Sequence, residues 1–168
     1  MNTRSQDTND LLVQFGAAPQ QRRPIMPSRK ISQVIGNQKI VTAAPGLSVL
    51  EAARKMAQAH VGSIMITESD RLVGIFTERD ALNRVLAAGL DPDRTPLSAV
   101  MTANPQSISA DAQLGHALHQ MFEGGFRHMP VVENDRPVGM VSSRDALGPE
   151  MVAFEAELER RNDISELL

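Results

Sequence analysis

The sequence predicts a mixed α/β fold (α+β by some conventions) of two tandem β-α-β-β-α repeats packed together. Three observations predict it. The chain repeats itself at a constant offset of 65 residues. Each repeat carries one helix-like apolar stripe followed by two strand-like runs joined by a short polar turn. The core is aliphatic, with nine Met, five Phe and no Trp or Tyr.

The repeat is the firmest of these. Gly74 and Gly139, Asp80 and Asp145, Ala52 and Ala117, Met56 and Met121, Val73 and Val138, and Arg79 and Arg144 are all identical at that one offset, with no gap between them. Asp70-Arg71 likewise matches Asp135-Arg136.

In the first repeat Ile40-Val41-Thr42 reads as a short strand, and Pro45-Gly46 turns the chain. Ser48-x-x-Glu51 has the form of a capping box. Val49, Ala52, Ala53, Met56 and Ala57 then recur at helical spacing, and Gly62 is expected to end that helix. Ser63-Ile64-Met65-Ile66 and Leu72-Val73-Gly74-Ile75-Phe76 form a hairpin around Glu68-Ser69-Asp70-Arg71. Thr77 opens a second helix holding Ala81, Leu82, Val85 and Leu86.

The second repeat runs in parallel. Leu114, Ala117, Leu118 and Met121 stripe its first helix, which Gly124-Gly125 ends. Its hairpin turns at Asn134-Asp135, and Ser142 opens the last helix. The expected organisation is a tail without fixed structure at residues 1–30, repeats at 31–90 and 91–148, and a terminal helix at 149–168. The tail is rich in polar residues and Pro, although Asp10–Phe15 could form a short docking element. The last segment places Met151, Phe154 and Leu158 on one face. One repeat is too small to cover its own sheet, and two packed sheet to sheet solve this.

Composition narrows function. The chain has 168 residues, 42% of them hydrophobic, enough to bury roughly two-thirds of its surface on folding. At 3% aromatic content it lacks platforms for stacking bases. A net charge of −3 without a dense basic patch argues against duplex nucleic acid as a partner. No apolar run reaches the roughly 18 residues of a membrane span, and the N-terminal residues do not read as a secretory signal. With no Cys there is no disulfide or thiolate site, which agrees with a cytoplasmic location. His116 and His119 share a helix face without a third ligand nearby, so no metal site is expected. No nucleophile–base–orienter set is present either, so catalysis is not expected.

The chemistry concentrates in Gly74-Ile75-Phe76-Thr77-Glu78-Arg79-Asp80, which recurs as Gly139-Met140-Val141-Ser142-Ser143-Arg144-Asp145. Capping alone could account for it: Thr77 and Ser142 as N-caps, and Asp80 and Asp145 accepting amide bonds in the first turn. The same geometry could instead serve a ligand. A helix start offers N–H groups to phosphate, the glycine lets backbone come close, and the carboxylate can accept from both cis-hydroxyls of a ribose.

These stretches, with Phe126-Arg127-His128-Met129-Pro130-Val131-Val132, resemble the cystathionine β-synthase (CBS) domain family in its tandem form, the Bateman module. The resemblance covers about Ile31 to Gly148. It implies that the repeats pack with pseudo-two-fold symmetry and leave two clefts between them that bind AMP, ADP or ATP, with NAD(H) or S-adenosylmethionine as further options, and that such pairs associate into homodimers. By position it implies Asp80 and Asp145 as ribose ligands, with Thr77, Arg79, Ser142 and Arg144 beside them. Thr42, Val61, Gly62 and Ser63 are expected to face the Asp145 cleft, and Ser107, Phe126, Arg127 and His128 the Asp80 cleft. Arg127-His128 stands where repeat one has Gly62-Ser63, so the Asp80 cleft is expected to hold phosphate better. The implied role is a nucleotide sensor acting on a partner protein that the sequence does not name. A ligand-free dimerisation or docking scaffold is the alternative.

Overall fold

The computed structural model describes residues 29–36, 38–145, 154–156 and 158–159. The expectations for residues 1–28, for the helix beyond Asp145 and for Met151 lie outside these residues. Elements run in the order α1 (Ile31–Ile35), β1 (Thr42–Ala43), α2 (Val49–Ala59), β2 (Ser63–Glu68), β3 (Arg71–Thr77) and α3 (Glu78–Asp80, continuing as π-helical turns over Ala81–Leu86). There follow α4 (Leu97–Val100), β4 (Thr102–Ala103), α5 (Leu114–Gly124), β5 (His128–Glu133), β6 (Arg136–Ser142) and a 3-10 turn at Ser143–Asp145. One sheet has the order β1-β2-β3-β4 and the other β5-β6. No described helix is long and apolar enough to cross a membrane.

The duplication holds in the helix stripes and hairpin registers and differs at the helix start, where α2 is capped by a side chain and α5, after Gln113, is not. Ser48 caps α2 by accepting from the Glu51 amide at 3.3 Å. Val49, Ala52 and Met56 then turn inward, as Leu114, Ala117, Leu118 and Met121 do in α5. The helix stops at Ala59, three residues before the expected Gly62. His60 adopts a left-handed φ of 54°, and its amide donates to the Ala57 carbonyl at 3.2 Å. In repeat two the same position is Gly125, at φ 66°. Both hairpins turn on two positive-φ residues, Ser69-Asp70 and Asn134-Asp135, the geometry whose twist suits a two-residue hairpin. Ser63 pairs with Thr77 in one ladder and His128 with Ser142 in the other. The hairpins meet where the Leu72 amide donates to the Asp135 carbonyl at 3.0 Å, reinforced by an Arg71–Asp135 ion pair.

Packing does not follow the sequence boundaries of the repeats. Leu97 and Val100 of α4, in the opening segment of repeat two, are buried in the core of repeat one with Val49, Ile64 and Phe76. Ile31 and Ile35 of α1, in the opening segment of repeat one, are buried in the core of repeat two with Leu114, Met129 and Val141. Backbone bonds fix both dockings. Leu97 and Ser98 donate to the Leu47 and Pro45 carbonyls, each at 2.9 Å. Ile31 and Ser32 donate to the Ala112 and Ala110 carbonyls at 2.9 and 2.8 Å. Each repeat is thus closed by a strap belonging, in sequence, to its neighbour. Phe154 also packs on the second core and meets Phe122 edge-on, with ring centroids 5.7 Å apart.

Candidate functional site

Two clefts lie between the repeats. The larger, about 460 Å³, is lined from repeat one by Ile75, Thr77, Glu78, Arg79 and Asp80, and from repeat two by Gly124, Phe126, Arg127 and His128. Thr102, Asn104, Pro105 and Gln106, on and after β4, complete its wall. The smaller, about 190 Å³, is lined by Gln38 to Val41, by His60 to Ser63 and Met65, and by His128, Met140, Ser142, Arg144 and Asp145.

The structure therefore gathers Thr77, Arg79, Asp80, Phe126, Arg127 and His128 in one cleft, and Val61, Gly62, Ser63, Ser142, Arg144 and Asp145 in the other. It leaves two expected residues outside. Thr42 is half-buried in β1, opposite Met65, and Ile40 and Val41 line the small cleft in its place. Ser107 is exposed and borders shallower hollows nearby. Strand alternation accounts for both: Ala43 and Ile108 are buried in the cores, so their predecessors face elsewhere. Gln38 to Val41, His60, Glu78, Thr102 and Asn104 to Gln106 join the linings without having been assigned to a cleft from the sequence.

At the start of α3 the Thr77 hydroxyl accepts from the Asp80 amide at 3.2 Å. Asp80 Oδ2 accepts from the Thr77 amide at 2.9 Å and from its hydroxyl at 2.7 Å. Ser142 and Asp145 repeat the arrangement through the Ser142 amide and a hydroxyl bond of 3.0 Å. The capping reading therefore holds in full for Thr77 and Asp80 and in its carboxylate half for Ser142 and Asp145, and it constrains any ligand. A carboxylate offers roughly four acceptor sites. In Asp80 two are used on Oδ2, and Arg84 Nε sits 3.2 Å from Oδ1. One site is left for a ribose hydroxyl; gripping both hydroxyls requires Arg84 to withdraw. The helix start is similarly committed, because the Glu78 amide donates to the Gly62 carbonyl at 3.0 Å and the Asp80 amide to Thr77.

The glycines have a different task from the one expected. A Cβ on Gly139 would stand 2.8 Å from two Ile35 side-chain carbons, and one on Gly74 would overlap Met101. These glycines admit the straps.

Charge differs between the clefts. The larger balances Glu78 and Asp80 against Arg79 and Arg127. The smaller sets Lys39 and Arg144 against Asp145 alone. Arg127 pairs with Glu78 at 3.4 Å, and Arg79 donates to the Gly125 carbonyl at 3.1 Å. His128 lines both clefts. Burial, aided by Arg127 and Arg144, holds its imidazole below the usual range against the opposing pull of Glu78 and Asp145. At neutral pH it offers a neutral N–H, not a positive charge.

Residues 31–87 and 97–148 match the CBS domain family. The chain belongs to that family. The CBS domain-containing protein CBSCBSPB3 of Arabidopsis thaliana is 38% identical over 124 residues, covering 73% of this chain and 22% of the relative. This chain therefore spans about a fifth of the length of that relative. An uncharacterized 17.7 kDa protein of Acidianus ambivalens is 34% identical over 118 residues, 69% of this chain and 70% of the relative. Among solved structures, a CBS domain protein from Pyrobaculum aerophilum complexed with AMP superposes with a TM-score of 0.69 at 25% identity, over 76% of this chain and 99% of that one. The CBS domain pair of protein MJ0100, in complex with 5′-methylthioadenosine and S-adenosyl-L-methionine, gives 0.64 at 26% identity, over 71% and 93%.

Proposed function

We propose that this CBS pair is a regulatory module that takes an adenine nucleotide, AMP, ADP or ATP, in the Asp80 cleft and modulates a partner protein. The observation that carries this is the convergence of Thr77, Arg79, Asp80, Phe126, Arg127 and His128 from two repeats on one cavity of about 460 Å³. That volume lies within the roughly 300–1,000 Å³ of small-molecule sites. The Asp145 cleft, at about 190 Å³, falls below that range. Ile75, Pro105 and Phe126 offer an apolar wall to a base, Asp80 an acceptor to a ribose, and Arg127 a planar fork to a phosphate. Related CBS pairs that hold AMP, or methylthioadenosine and S-adenosylmethionine, support the ligand class.

A ligand touching both repeats biases their relative placement, by no more than its difference in affinity for the two arrangements. We include in this proposal a homodimer acting in the cytoplasm. Leu82 and Leu86 of the π-helical segment and Phe122 of α5 are 56%, 73% and 58% exposed, which supports self-association. The same exposure favours the second reading, a scaffold that assembles without ligand.

Thermal unfolding with AMP, ADP, ATP, NAD(H) and S-adenosylmethionine separates the two. A ligand at 100 times its Kd adds about 2.7 kcal/mol, raising Tm by roughly 5–10 °C for a chain of this size. Flat melts throughout, with dimers seen by sedimentation, would leave only the scaffold.

A further inference from the structure

The inference rests on the nucleotide reading of the Asp80 cleft and concerns Glu78. Glu78 fills a motif position that is Ser143 in the second repeat, so a carboxylate occurs at that point in one cleft only. Its backbone cannot withdraw, because its amide is tied to the Gly62 carbonyl at 3.0 Å. Its side chain reaches across the repeat boundary to Arg127, the guanidinium best placed to receive a phosphate, at 3.4 Å. Both side chains are about half exposed, at 55% and 49%. A pair so long and so open is worth little, so a phosphate can displace the carboxylate from Arg127. The displaced charge stays in the cleft. The other cation there, Arg79, is already turned to the Gly125 carbonyl, and Asp80 is matched by Arg84. Each phosphate charge beyond the first therefore meets a neighbouring carboxylate, with Arg79 the one other cation among the described lining residues.

We propose that Glu78 is a specificity-determining residue that occupies Arg127 when the cleft is empty and biases the Asp80 cleft toward adenine nucleotides of low phosphate charge. AMP is favoured over ATP. Neutralising Glu78 relieves repulsion for both nucleotides, and more for ATP, which carries about two more negative charges. Two such charges at about 8 Å in water gain roughly 1 kcal/mol, a factor of about five.

Isothermal titration calorimetry of AMP and ATP into the full chain and its Glu78→Gln variant, in low salt with EDTA to keep ATP metal-free, tests this. Wild type is expected to bind AMP more tightly, and the ATP-to-AMP affinity ratio is expected to rise about fivefold in Glu78→Gln. Raising salt to about 0.5 M should shrink that difference, since exposed charges are screened. A ratio unchanged by the substitution, while wild type binds AMP, overturns the assignment of Glu78 and leaves the nucleotide site standing. Tighter binding of ATP by wild type overturns it as well. Failure of both proteins to bind either nucleotide overturns the nucleotide site, and this inference with it.

Discussion

Asp80 is tied to its own helix and offered to a ligand at the same time, so removing it must cost in two separable ways. In Asp80→Ala, α3 loses the bonds from Asp80 Oδ2 to Thr77 and the ion pair to Arg84. A lost cap costs about 1 kcal/mol and an i,i+4 pair about 0.3–0.5. Asp80 is only 14% exposed, so its share of the pair should be near the top of that range. The expected loss of stability without ligand is roughly 1.5 kcal/mol. Loss of a hydrogen bond to the carboxylate should weaken nucleotide binding by about 1.5–3 kcal/mol, roughly tenfold to 150-fold in Kd. Asp145→Ala is the matched control. It removes the same cap from Ser142 but touches only the small cleft. Urea unfolding without ligand measures the first cost for each variant, and calorimetry with AMP the second. Both variants should lose comparable stability, and only Asp80→Ala should lose affinity on the stated scale. Equal loss of affinity in the two, or none in Asp80→Ala, would refute the assignment of the ribose to Asp80.

Three further outcomes follow from packing and charge. Gly139→Ala should cost about 1–3 kcal/mol in urea unfolding, because its Cβ meets Ile35 at 2.8 Å, and part of that should return when Ile35→Ala is combined with it; strict additivity would count against the contact. Leu97→Ala and Ile31→Ala should each cost about 2–5 kcal/mol, as expected for fully buried side chains, although both residues lie outside the repeat whose core they fill; a cost under about 1 kcal/mol in the same assay would deny the strap its role. Because His128 titrates below its unfolded value, the unfolded chain takes up that proton first as pH falls past about 6.5, so stability declines on acidification. His128→Gln should show a shallower decline in urea midpoint between pH 7.5 and 5.5 than wild type, and identical slopes would reject the burial of this imidazole as the cause.

Most of the fold was legible because one offset carried it. Helix stripes, hairpins and both Thr/Ser-x-x-Asp caps fall where a repeat of 65 residues puts them. The straps were not legible for the same reason. Ile31-Ser32-Gln33-Val34-Ile35 and Leu97-Ser98-Ala99-Val100-Met101 match at an offset of 66, and a register fixed at 65 passes over them. Each is short, and its partner is remote in sequence, so local pattern offers no sign of what it packs on. The end of α2 was misread because His60 takes a left-handed conformation that composition reserves for glycine. In the candidate site, motif residues came together as expected. Thr42 and Ser107 did not: the first is half-buried in β1 and the second is exposed beside the cleft, each next to a core residue. The engagement of the Asp80 carboxylate with Thr77 and Arg84 depends on side-chain placement that no residue spacing encodes.

The straps also bear on how occupancy could be read out. The chain leaves the core of repeat one after α4 and β4, runs along the Asp80 cleft through Thr102, Asn104, Pro105 and Gln106, and enters repeat two. Its counterpart leaves the core of repeat two after α1 and runs along the Asp145 cleft through Gln38 to Val41 before entering repeat one. Each cleft is therefore walled by one of the two segments along which the chain passes from one core to the other. A ligand in the Asp80 cleft touches both repeats and that crossing segment at once. It cannot move one repeat without loading a segment whose other end is anchored by Leu97 in the first core. The Asp145 cleft loads instead the segment anchored by Ile31, just beyond Arg29, whose guanidinium already donates to the Asp145 carbonyl at 2.7 Å. Occupying the two clefts should thus have different mechanical consequences despite their shared motif, one acting on the junction between repeats and the other on the segment entering the first repeat.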